Sequence, residues 1–87
     1  MTDDRSRELL ADILAEVQGI LRTKIRVQAP IHWESHLIND LELDSINQLA
    51  LVVELENHFK VCFEPGDETG IQTVRDVVAL VARLRTV

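Results

Sequence analysis

Three places in this chain bear side chains capable of chemistry: the Asp44-Ser45 pair, the stretch His32-Trp33-Glu34-Ser35-His36, and Cys62. Ser45 stands at the head of a long apolar segment that runs to Phe59, behind the approach Asp40-Leu41-Glu42-Leu43. A serine that opens a helix can cap it through ordinary hydrogen bonds. It can also carry a covalent group, because a phosphodiester on its oxygen would lie at the positive end of the helix dipole, beside amides that lack an intrahelical acceptor. Nucleophilic catalysis would need more, namely a base held by an orienting group. The only histidines are His32, His36 and His58, and no Gly-x-Ser-x-Gly elbow surrounds the serine. The sequence therefore reads as a protein without catalysis of its own.

The other two places carry less. His32 and His36 flank Glu34, but catalytic zinc sites usually place His-Glu-x-x-His on a helix, whereas these residues fall in a loop that follows Pro30. No metal site is assigned. Cys62, between Val61 and Phe63, reads as a small hydrophobe in an apolar patch. A single cysteine closes no intramolecular disulfide, and Met1-Thr2-Asp3-Asp4-Arg5 lacks the apolar run of a secretion signal, so a reducing cytoplasm is the expected location.

The elements that must position Ser45 follow from apolar spacing. Leu10, Ile13, Leu14, Val17 and Leu21 recur at helical intervals with Leu9 and Ile20 on the flank, which predicts a first helix over residues 4–22. Asp3, Asp4 and Glu8 at its start and Arg22 and Lys24 at its end complement its dipole. Residues 26–43 show no sustained period, and a loop of that length in a small domain needs anchors. Ile31, Trp33, Leu37, Ile38 and Leu41 are the expected ones. A second helix runs from Ser45 to about Phe59, with Asp44 as its cap. Pro65-Gly66 marks a turn, and residues 67–71 leave room for one short helical turn. Thr73, with Asp76 three residues on, caps a last helix whose stripe is Val74, Val77, Val78, Val81 and Leu84. The expected fold is an all-α bundle of four helices in one domain, residues 1–87, with a short third helix and a long first loop.

Composition narrows the function classes. With 87 residues the chain supports one domain of modest stability. No stretch approaches the roughly 20 apolar residues needed to span a bilayer. The net charge is −6, from 15 acids against 9 bases, which argues against nucleic acid and favours partners with basic patches. Residues 44–59 hold three acids and no base, so the helix after Ser45 is acidic at every charged position.

That helix also has more apolar surface than one core contact needs. At roughly 100° per residue, Leu51, Val52, Leu55 and Phe59 form one arc, and Ile46, Leu49, Ala50 and Val53 form a second, bordered by Asn47, Glu54, Glu56 and Asn57. A helix apolar nearly all round is usually buried, so a central helix covered on both arcs is one reading. The other is an outward strip rimmed by carboxylates, suited to transient docking. The nearness of Ser45 favours docking for Leu49 and Val53.

From residue 37 to residue 84, the order Asp-Ser-Ile, Leu49-Ala50-Leu51-Val52-Val53-Glu54-Leu55-Glu56-Asn57-His58-Phe59 and Thr73-Val74-Arg75-Asp76-Val77-Val78 resembles the acyl carrier proteins. The resemblance implies a four-helix bundle in which a phosphopantetheinyl transferase moves 4'-phosphopantetheine from coenzyme A onto Ser45, with Asp44 helping the transferase position the serine. The arm's thiol would then hold acyl groups as thioesters while acyl-loading and acyl-processing enzymes act on them. Ile46, Leu49, Ala50, Val53, Glu54 and Glu56 fall where such carriers meet their enzymes, and a carrier that visits several enzymes works most simply as a monomer. An aminoacyl or peptidyl carrier would use the same serine and fold. A helical interaction module without cofactor is the alternative from another class.

The chain departs from the family pattern in places. Glu42 stands where many members have glycine, and Asn47 and Ala50 replace commonly acidic positions, which leaves a greasier docking face. Phe63-Glu64-Pro65-Gly66 also departs from the usual order at the short helix. A specialised carrier of fatty acid, polyketide or lipid biosynthesis is the expected function.

Overall fold

A computed structural model describes residues 4–64 and 66–85, with the side chains of residues 4–8, 68 and 69 outside the description. Three α-helices form: α1 (Asp4–Thr23), α2 (Ser45–Phe59) and α3 (Val74–Arg85). Where a short third helix is expected, the chain makes a single 3₁₀ turn, Asp67–Gly70, so the count among the described residues is three α-helices and one turn rather than four helices. Gly66, at φ 96°, starts that turn, and four residues between Gly66 and Ile71 leave no length for i→i−4 bonding to propagate. Asp3, Pro65 and the side chains of Asp4 and Glu8, named above for the first helix and the turn, lie outside the described residues.

The core is aliphatic, and α1 packs chiefly on α3. Ile13, Val17 and Leu21 from α1 meet Val74, Val77, Val78 and Val81 from α3, each with no exposed surface. Leu51 and Leu55 of α2 are equally buried. Full burial of a side chain of this size stabilises by about 1.5–3 kcal/mol against leaving it in water. Leu84, read into the last stripe, is only half-buried near the end of α3.

The first loop is held by backbone hydrogen bonds as much as by apolar anchors. The Leu37 amide donates to the Gln72 carbonyl (2.8 Å), and the Val74 and Arg75 amides donate to the Ser35 and Trp33 carbonyls (3.0 Å each). These bonds, with an antiparallel bridge between His36 and Thr73, tie the loop to the start of α3. They also supply acceptors for first-turn amides that a helix cannot satisfy itself. Ile31, Leu37 and Leu41 are buried as expected and Trp33 is half-buried. Val27 and Leu43 join them.

Two expectations are corrected. Ile38 is 54% exposed and anchors nothing: it follows Leu37, and in this turn the two neighbours point to opposite sides. Cys62 is exposed as well, because Val61 and Phe63 on either side take the partly buried positions against the core.

Candidate functional site

Ser45 is the first residue of α2 and is exposed. Asp44 holds the end of the helix open for it. With φ −90° and ψ −177° Asp44 is extended, its Oδ1 accepts from the Asn47 amide (2.8 Å), and its carbonyl accepts the first intrahelical bond, from Gln48 (2.9 Å). One carboxylate oxygen is thus committed to the cap, while the amides of Ser45 and Ile46 precede the first helical bond and have no protein acceptor among the described residues. An anion on the Ser45 oxygen would sit beside these donors, where the helix dipole favours it.

The approach is built from four consecutive turn bonds. Asp40 and Leu41 amides donate to the His36 carbonyl (2.9 and 3.0 Å), Glu42 to that of Ile38 (3.1 Å) and Leu43 to that of Leu37 (3.0 Å). Glu42 takes φ 58°, the left-handed conformation, at the very position where the family often has glycine. An L residue there costs about 1–2 kcal/mol that glycine would not. The chain nonetheless makes the turn, and Leu43, 4% exposed, plugs the core immediately before the cap.

Beside Ser45 lies the outward arc of α2. Ile46 is 76% exposed, Leu49 62% and Val53 51%, spaced three and four residues apart on one face. Ala50 and Glu54 are half-buried. Glu56 differs from the other residues assigned to docking: its Oε2 accepts from the Phe63 amide (2.8 Å), so its carboxylate closes the segment after α2. Leu51, Leu55 and Phe59 of the opposite arc are buried, and Val52 is half-buried. The reading in which both arcs are covered is therefore excluded. Ile38, assigned to the interior from sequence, adds a further exposed aliphatic side chain.

His36 and His58 hold the scaffold. His36 Nδ1 accepts from the Ile38 and Asn39 amides (3.2 and 3.1 Å), and Glu34 pairs with Arg75 (2.6 Å). Among the described residues no group of three or more His, Cys, Asp or Glu comes together to hold a metal. His58 pairs with Glu16 and meets the Phe59 ring edge-on, and Arg85 stacks over the same ring, which closes the far end of α2 against α1 and α3. Among the described residues Asp76 is the group whose acidity is clearly displaced: amides of Gln72 and Thr73 donate to its carboxylate and hold its pKa below the ordinary aspartate value, against a smaller opposing effect of burial. Thr73 Oγ1 accepts from the Asp76 amide in return, a capping box at the head of α3.

A cavity of about 380 Å³ opens between the 3₁₀ turn and α3, lined by Asp67, Ile71, Asp76, Leu80 and Arg83 among others, with no residue of α2 in its wall. No helix of the described residues is long and apolar enough to cross a membrane.

Comparison with known proteins gives this geometry its context. The family model for a phosphopantetheine attachment site matches residues 8–81. The meromycolate extension acyl carrier protein of Mycolicibacterium aurum is 32% identical over 75 residues, 86% of this chain and 71% of that protein. The acyl carrier protein of Thermotoga maritima is 32% identical over 73 residues, 83% of this chain and 90% of its own length. In three dimensions, the crystal structure of an acyl carrier protein from Thermotoga maritima superposes with a TM-score of 0.78 at 22% identity, covering 87% of this chain and 89% of that one, a likeness of fold. These matches set aside the interaction module without cofactor. The first-turn amides and the exposed serine suit a phosphodiester, and the chain belongs to the acyl carrier proteins, which hold acyl groups as thioesters on 4'-phosphopantetheine and work with modifying and processing enzymes rather than as enzymes themselves.

Proposed function

We propose that Ser45 is the attachment residue, that Asp44 positions it for a phosphopantetheinyl transferase, and that the chain serves as a specialised carrier of lipid biosynthesis. The observation that carries this reading is an exposed hydroxyl on the first residue of a capped helix, with unclaimed amides beside it. In the transfer the Ser45 oxygen loses its proton and bonds to the phosphorus of coenzyme A's pantetheine phosphate, and the phosphorylated adenosine portion departs. Asp44 Oδ1 is held by the Asn47 amide, which fixes the carboxylate's orientation at the head of α2. Once the arm is in place, its thiol supplies the thioester chemistry. The chain's own residues hold the phosphodiester at the helix end and present the face that enzymes recognise.

Ile46, Leu49 and Val53 form the centre of that face, with Ala50 and Glu54 at its border. The specialised role is supported by relatives that include a meromycolate extension carrier and by a face on which Asn47 and Ala50 stand at commonly acidic positions. The carrier works as one domain, as a monomer and in the cytoplasm, where coenzyme A and the transferase are met.

The test is loading. After incubation with coenzyme A and a broad-specificity transferase, the intact mass rises by one arm in the wild type and stays unchanged in Ser45→Ala. The holo chain then accepts acyl groups from an acyl-loading enzyme. Loading by an amino-acid-adenylating enzyme in its place assigns the chain to the aminoacyl and peptidyl carriers.

A further inference from the structure

The turn that leads to Ser45 hangs on one residue. Of the five amides from Leu37 to Leu41, four end on His36: those of Asp40 and Leu41 on its carbonyl (2.9 and 3.0 Å), those of Ile38 and Asn39 on its Nδ1 (3.2 and 3.1 Å). The fifth, Leu37, donates to the Gln72 carbonyl, and His36 itself bridges to Thr73, so the turn starts where the loop is pinned to the head of α3. In return Asp40 Oδ2 accepts from the His36 amide (2.7 Å). The pattern is that of a capping box, with an imidazole where serine, threonine, aspartate or asparagine ordinarily stands. At the far end of the turn the Glu42 and Leu43 amides return to the Ile38 and Leu37 carbonyls, and Leu43 seats in the core directly before Asp44.

An imidazole in place of an oxygen changes the chemistry of the cap. A ring nitrogen accepts only while it carries no proton, so two amides on Nδ1 require the neutral ring with its hydrogen on Nε2. The protonated ring has donors at both nitrogens and nothing to offer the Ile38 and Asn39 amides. The titratable and charged groups on the surrounding elements are Asp40 within the turn, His32 in the loop, Glu34 and Arg75, which pair with each other, and Asp76, which takes the Gln72 and Thr73 amides. None of them bonds the His36 ring among the described residues.

We propose that neutral His36 is a positioning residue for the loading of Ser45, a role that rests on Ser45 as the attachment residue. Its unprotonated ring holds the turn that sets Leu43 in the core and Asp44-Ser45 at the surface. Protonation of the ring releases the turn and slows the transferase. His36 acts through the backbone of the turn and takes no part in the transfer itself.

The test compares wild type, His36→Asn and His36→Ala. Asparagine offers an oxygen to the same two amides and does not titrate, whereas alanine offers nothing. Loading rates at low carrier concentration, with coenzyme A and a broad-specificity transferase, are read by intact mass from about pH 7.5 to about pH 5, the span in which imidazoles ordinarily gain a proton. The ratio of wild type to His36→Asn at each pH cancels the transferase's own titration. Expected is a ratio of one at the upper end that falls toward about one fifth at the lower end, with His36→Ala about fivefold slower than His36→Asn throughout, the weight of one helix cap. ¹⁵N spectra of the ring show Nδ1 without a hydrogen and Nε2 with one at the upper end. A ratio that stays flat with pH overturns the role, as does a hydrogen on Nδ1 of the neutral ring, and both readings stand without the alanine variant should it fail to fold. Mass gain with a flat ratio leaves the attachment intact. Absence of any mass gain in the wild type refutes the attachment, and this role with it.

Discussion

The two arcs of α2 are made of the same kinds of residue and do opposite things. Leu51, Leu55 and Phe59 face inward and have 0, 0 and 8% of their surface exposed, whereas Ile46, Leu49 and Val53 face outward with more than half exposed. Composition does not separate the arcs, since both are aliphatic-rich. What separates them is their place in the bundle: α1 and α3 cover one side, and none of the described residues covers the other. The inner arc answers for stability and the outer arc for recognition. Substitutions should therefore fall into two classes with little overlap.

The largest effect belongs to the inner arc. Leu55→Ala should destabilise by about 2–5 kcal/mol, read as a lower denaturation midpoint with an unchanged slope, because it leaves a cavity where no surface was exposed. An effect under about 1 kcal/mol would show that the inner arc is loosely packed and erase the contrast. On the outer arc, Leu49→Asp and Val53→Asp should move stability by only about 0.5 kcal/mol. Their KM with the transferase or a loading enzyme should rise roughly tenfold, as expected for losing about 1.4 kcal/mol at an interface. Unchanged kinetics in both variants would place docking elsewhere.

A smaller effect tests the scaffold that orients both arcs. Asp76 caps α3 and its acidity is enhanced in the fold by the Gln72 and Thr73 amides. A carboxyl whose folded pKa lies below its unfolded value near 3.8 contributes stability that is complete above that value and is lost as pH falls through the folded pKa. Asp76→Asn should cost about 1 kcal/mol at neutral pH, and its stability should converge on the wild type's in that acidic window, followed by thermal denaturation at stepped pH. A constant gap at all pH values would rule out the carboxylate as the source.

The smallest effect concerns the turn before Ser45. Glu42→Gly removes the left-handed strain but loosens the unfolded chain, so a net gain of about 0.5 kcal/mol, a few degrees in Tm, is expected. Loading at Ser45 should continue. A loss of stability would show that the Glu42 side chain contributes more than its backbone costs.

The limits of α2 and α3 and the caps at Asp44 and Thr73 were legible because capping residues and apolar periods point to the same boundaries. The outer arc was legible only as one of two options, since a helical period identifies apolar faces but not which of them a neighbour covers. Ile38 was misread for a related reason: adjacent apolar residues in an irregular turn carry no period, so nothing in the sequence distinguishes buried Leu37 from exposed Ile38. The pairing of residues 33–37 with 72–75 joins segments far apart in the chain through backbone groups, which side-chain pattern does not report. The diversion of Glu56 to the Phe63 amide was hidden likewise, because it depends on how the chain turns after the left-handed cap at Lys60.

The central claim is that the Ser45 hydroxyl bears the arm. Fragmentation of the loaded protein by tandem mass spectrometry tests it most directly, by locating the added mass along the chain. The account predicts that the whole addition lies on the fragment containing Ser45. An addition on Ser35, on the exposed thiol of Cys62 or on any other residue would contradict it.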